Sequence, residues 1–128
     1  MATRSLIAFD NHDTVTFIYC HWDGYLSGVG KVLLENYTLD VDKVEELMDG
    51  GDISDIGLDP SKCRKTHDTR ACRDTHGSVA REFKTMAELI EYFKISWCDY
   101  LYVFNGRGWE YMTRDMDSSV LMVPSDVG

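Results

Sequence analysis

Two hairpin patterns, one at each end of the chain, constrain the fold most. The first runs Leu6-Ile7-Ala8-Phe9, then Asp10-Asn11-His12-Asp13 as turn chemistry, then the β-branched and aromatic stretch from Thr14 to Cys20. The second runs from Asp99 to Phe104, turns at Asn105-Gly106, and returns from Gly108 to Thr113. Asn-Gly suits a type I′ turn, which needs two positive φ angles. Strands at both ends with helical patterns between them predict an α+β domain.

Three helical patterns fill the middle. Val29, Val32, Leu33 and Tyr37 fall on one stripe after Gly24, Gly28 and Gly30 interrupt the strand pattern. Asp40 is placed to cap a second helix with Val41, Val44, Leu47 and Met48 on one face, ending at Gly50-Gly51. Thr85 and Glu88 have capping-box spacing ahead of Met86, Leu89, Ile90 and Phe93. The order predicts a small antiparallel sheet of two hairpins with about three helices packed on one face. The segment from Asp52 to Gly57 reads as a turn, and 58–80 as an irregular loop. Residues 1–115 then form a single domain and 116–128 a flexible tail.

A chain of 128 residues is long enough to bury a core without a disulfide or metal staple. No apolar run approaches the roughly 18 residues of a membrane span, and the start reads as strand rather than export signal. The expectation is a cytoplasmic protein with its four cysteines reduced. A net charge of −9 disfavours non-specific DNA binding. The charge is uneven: from Lys62 to Lys84 there are seven basic residues and three acids, so the remainder carries −13.

The segment Ile18-Tyr-Cys-His-Trp-Asp-Gly-Tyr25 carries the densest chemistry. Cys20 and His21 cannot act as a nucleophile and base while the strand continues, because adjacent side chains point to opposite faces. Cys20 is then a small core hydrophobe. His21 and Asp23 can share a face, with Trp22 and Tyr25 adding flat surface with a polar edge. This set either binds a ligand, by stacking a base or gripping a chain, or plugs the core and caps the next helix.

A second constellation is the short repeat Cys63-Arg-Lys-Thr-His67 and Cys72-Arg-Asp-Thr-His76. Cys63, His67, Cys72 and His76 are zinc-ligand types, but their spacing departs from the usual pairing of like ligands. The alternative is a solvated basic loop without a cofactor. Arg64, Lys65, Arg70 and Arg73 make a better case for an anion site, since guanidinium forks match phosphate. They are equally able to pair with acids of the body. No paired carboxylates at helical spacing, phosphate-cradling glycine loop or Ser/His/Asp order stands out, which disfavours an enzyme.

Ala2-Thr-Arg-Ser5, Ile7-Ala8, Ile18 to Tyr25, Gly28-Val-Gly30, Leu34-Glu-Asn-Tyr37 and Gly51-Asp-Ile-Ser54 together resemble a family of small tailed-phage proteins of hypothetical function. The resemblance covers about the first 57 residues, with the Trp109 strand as a late echo, and leaves out the Cys/His repeat. It implies a phage origin and a binding protein rather than an enzyme. The expectation that follows is an anti-defence protein in the cytoplasm of an infected bacterium. It would sequester a small phosphorylated or cyclic nucleotide through His21, Trp22, Asp23, Tyr25 and the basic residues. The alternative is an acidic protein that blocks a host defence nuclease, as an anti-CRISPR or anti-restriction factor. Homo-oligomerisation is left open.

Overall fold

In the computed structural model, which describes residues 3–38, 40–65, 80–114 and 118–120, the chain begins with β1 (Ser5–Asp10) and β2 (Val15–Cys20). A π-helical turn (Leu26–Gly30) runs into α1 (Lys31–Asn36), followed by α2 (Val41–Asp49) and β3 (Ile53–Asp55). A 3-10 turn (Pro60–Lys62) leads to β4 (Arg64–Lys65). Then come β5 (Arg81–Phe83), α3 (Met86–Ile95), β6 (Tyr100–Phe104), β7 (Trp109–Thr113) and β8 (Ser118–Val120). The class is α+β, as the patterns predict.

The sheet is larger than two hairpins and is mixed rather than antiparallel. Its order is β4-β3-β2-β1-β6-β7-β8, with β5 also on β2, eight strands among the described residues. The end hairpins join through a parallel pairing of β1 with β6, from Ser5↔Tyr100 to Phe9↔Phe104. The segment read as a turn after Gly51 is instead β3, whose Ile53 pairs in parallel with Cys20. Polar composition disguised it: Asp52, at its start, is fully buried. A short strand, β8, also pairs with β7 in the stretch read as a tail.

Both hairpins close through the same four-residue loop. Asn11 and Asn105 each open the loop, and each side-chain oxygen accepts from the backbone N–H two and three residues on. The second loop position takes a positive φ, 76° at His12 and 95° at Gly106. Asn105 is absent from the positive-φ residues, so the Asn-Gly turn is not type I′. The longer loop satisfies Asn105 as an Asx turn instead.

Helices cover both faces of the sheet, not one. On one face Ile7, Ile18, Cys20, Tyr102 and Trp109 pack with Val29, Leu33, Tyr37, Val44 and Leu47 from the π-turn, α1 and α2. On the other, Leu6, Ala8, Phe17, Tyr19 and Leu101 pack with Leu89, Tyr92 and Phe93 of α3. This explains why β1 and β2 read as nearly continuous apolar runs: strands buried on both faces have no polar side to alternate with.

The helix caps match their sequence signals. Asp40 accepts from the Lys43 N–H, and Thr85 with Glu88 forms a reciprocal capping box. Gly51, at φ 78°, ends the second helix in the left-handed region that glycine permits. Among the described residues, no helix is long and apolar enough to cross a membrane.

A gap in the β2 ladder is filled by side chains. β5 pairs with Val15 to Phe17 and β3 with Cys20, leaving the Tyr19 N–H to donate to Asp52 Oδ1 at 2.9 Å. Arg81 Nη2 lies 3.8 Å from the same oxygen. Its guanidinium also covers the Phe17 ring at 4.9 Å and donates to the Tyr92 hydroxyl at 2.7 Å. The pair ties β5 and the start of β3 to β2 and α3.

Candidate ligand-binding site

The Ile18 to Tyr25 segment forms the turn from strand to helix at one end of the sheet. β2 is extended past Cys20 by two more backbone bonds, His21 N–H to Ile53 O at 3.1 Å and Trp22 N–H to Ser54 O at 3.0 Å. Asp23 then turns the chain in the left-handed region, φ 59°. Its carbonyl accepts from the Val29 N–H at 2.7 Å, closing the turn against the following helix.

Glycine is required here by close approach. A Cβ on Gly24 would stand 2.7 Å from the Thr3 carbonyl oxygen, and one on Gly28 would stand 2.3 Å from the Asp23 carbonyl oxygen. The Gly24 N–H donates to Thr3 O at 2.8 Å. The Gly24 carbonyl accepts from the Tyr102 hydroxyl at 2.6 Å. The segment leading into β1 and Tyr102 of β6 therefore both hold the turn.

On this fixed backbone, Trp22 and Tyr25 stand outward, 42% and 41% exposed. Covering the exposed part of these rings would release about 25 cal/mol per Å² of apolar surface. The His21 ring meets Trp22 edge-on at 4.7 Å between centroids. Its Nδ1 shares a 2.5 Å hydrogen bond with the hydroxyl of Tyr19, whose ring is in the α3-side core. Asp23 Oδ1 accepts from the Tyr25 hydroxyl at 3.1 Å, and that bond raises the Tyr25 pKa. The turn thus presents two aromatic rings, an imidazole and a carboxylate, each with a defined local contact.

Cys20 points the other way. It is fully buried, and its thiol faces the carbonyls of Trp22 at 3.5 Å and Ser54 at 3.9 Å. Burial pushes its pKa far above the ordinary thiol value, so the neutral form persists and nucleophilic chemistry is disfavoured.

The basic residues divide. Arg64 and Lys65 lie in β4 opposite Asp55 and Ile53, which places β4 one strand beyond the β2–β3 edge that carries Trp22. Arg70 and Arg73 lie outside the described residues. Of the zinc-type set, Cys63 sits near α1: its sulfur accepts from the Gly57 N–H at 3.2 Å and lies 3.9 Å from the Tyr37 hydroxyl. His67, Cys72 and His76 lie outside the described residues. Among the described residues no three His, Cys, Asp or Glu side chains gather in metal-binding geometry.

Sequence patterning missed Tyr19, Tyr102 and Asp52 as supports of this site. Tyr19 was accessible, because residues 19 and 21 of a strand share a face. Tyr102 and Asp52 act from 78 and 33 residues away and leave no local signal. In comparisons with family models, curated proteins and solved structures, nothing matches this chain.

Proposed function

We propose that this chain is a non-catalytic binding protein that sequesters a small phosphorylated or cyclic nucleotide, serving a phage as an anti-defence factor in the cytoplasm of its bacterial host. The observation that carries the reading is the outward display of Trp22 and Tyr25 on a turn held by backbone hydrogen bonds from His21, Trp22, Gly24 and Val29. Rigid exposed rings lose little entropy on stacking, and stacking a base on an aromatic ring contributes about 1–3 kcal/mol.

In this reading Trp22 and Tyr25 hold the base, while His21 and Asp23 contact its polar edges. Arg64 and Lys65, with Arg70 and Arg73, hold phosphate. The buried, neutral Cys20 thiol favours binding without turnover. A sequestering protein retains its ligand. Protein purified from infected cells, denatured and examined by mass spectrometry, is expected to release a nucleotide; protein that releases none and also binds none in titration refutes the reading.

A second reading rests on α2. Its solvent face carries Asp42, Glu45, Glu46 and Asp49, an arrangement that can mimic a nucleic-acid backbone toward a host nuclease. Retention of one large host protein in a pull-down, with no nucleotide released, would favour this second reading.

A further inference from the structure

A separate pocket opens at the opposite end of the sheet from the Trp22 turn, on the face that α3 covers. Its volume is about 180 Å³. Met86 and Ile90 of α3 form one wall, while Leu101, Val103 and Met112 of β6 and β7 form the floor and the other wall. α3 is anchored over β1 and β2 through Leu89, Tyr92 and Phe93, leaving this part of the face incompletely filled.

Two carboxylates stand at the rim, Asp10 at the end of β1 and Glu110 on β7. Register places them on either side of β6: Val103 is opposite Glu110, and Phe9 is opposite Phe104. Two inter-strand spacings separate their strands by about 10 Å. One oxygen of each is held locally, Asp10 Oδ1 by the His12 N–H at 2.9 Å and Glu110 Oε1 by Asn105 Nδ2 at 3.2 Å. One oxygen of each carboxylate thus has a local partner, and among the described residues neither meets a cationic side chain.

From this geometry we infer that the pocket binds a small aliphatic ammonium ion, with its carbon chain among the methionines and its charge between Asp10 and Glu110. The volume is below the usual range for drug-sized ligands and suits a short unbranched chain. Methionine walls adapt to such a chain. The net charge of −9 favours a cation over an anion or neutral molecule of the same shape. This site is independent of the nucleotide reading.

The test titrates wild-type protein with n-hexylammonium chloride and, in parallel, with n-hexanol, following the methyl resonances of Met86 and Met112. Saturable shifts are expected with the ammonium ion, with hexanol at least about tenfold weaker because it lacks the charge-assisted bonds. The Asp10→Asn, Glu110→Gln double variant should weaken ammonium binding by at least about tenfold and leave hexanol unchanged. No saturable shift at either methyl, or equal binding of the two probes to wild type, overturns the inference. The probe comparison on wild-type protein holds even if the variant folds poorly.

Discussion

Replacing Gly24 by alanine tests the packing that fixes the Trp22 turn. The added Cβ would stand 2.7 Å from Thr3 O, 3.0 Å from the Arg4 carbonyl carbon and 3.0 Å from Ser5 Cβ. Ser5 belongs to β1, which is paired on both sides, and Arg4 O accepts from the Asp99 N–H at 2.8 Å, so neither yields readily. The turn must instead lift, stretching the 2.8 Å bond from Gly24 N–H to Thr3 O and the 2.6 Å bond from Tyr102.

Overpacking of this kind costs about 1–3 kcal/mol, and a weakened buried hydrogen bond adds about 1 kcal/mol. Gly24 has no positive φ, so alanine returns about 0.5–1 kcal/mol through the unfolded chain. The net expectation is a loss of about 1–3.5 kcal/mol, seen in urea denaturation and as a Tm lowered by roughly 5–15 °C. Gly108→Ala is the control, because a Cβ there would meet nothing within 4 Å and its φ is not positive. It should be neutral or stabilising by up to about 1 kcal/mol. A Gly24→Ala protein within about 0.5 kcal/mol of wild type would refute the proposed grip.

Three further expectations concern the same framework. His12→Gly should stabilise by about 0.5–1 kcal/mol, because His12 occupies the left-handed position that glycine fills in the matching second loop; denaturation that shows a loss would contradict the equivalence. Tyr102→Phe should cost about 1–3 kcal/mol by leaving the Gly24 carbonyl without its donor, and should speed hydrogen exchange at the Gly24 and Val29 amides; unchanged exchange would argue against it. Burial raises the pKa of Cys20 above 9.0 and those of Tyr37 and Tyr102 above 10.0, so folding keeps all three protonated. Their contribution is complete below pH 9 and is lost as pH rises, by about 1.4 kcal/mol per pH unit for each group above its unfolded pKa. A urea series from pH 8 to 11 should show falling stability; a flat profile would contradict the burial of these groups.

Local chemistry made part of this fold legible. Asp40 and the Thr85–Glu88 pair marked two helix starts because a cap is satisfied within three residues. The two hairpins were marked by their turn residues. β3 and β5 were hidden because three-residue strands owe their existence to partners, here Cys20 and the Val15 to Phe17 stretch. The two-faced burial had a visible signal in Leu6-Ile7-Ala8 and in Phe17 to Cys20, which are apolar at every position rather than alternate ones.

At the candidate site, alternation correctly separated Cys20 from His21: the thiol lies in the core while the imidazole sits on the opposite face with Tyr19. The reason Gly24 and Gly28 are needed was not legible. It depends on how closely Thr3 and Asp23 approach in the folded chain.

The central claim is that Trp22 and Tyr25 form a nucleotide platform, and calorimetry of wild type beside Trp22→Ala tests it most directly. Against a panel of cyclic nucleotides and ADP-ribose derivatives, wild type is expected to give saturable heat with at least one compound. Trp22→Ala should lose about 1–3 kcal/mol of that binding. No heat with any compound, or equal affinity in the variant, would contradict the account.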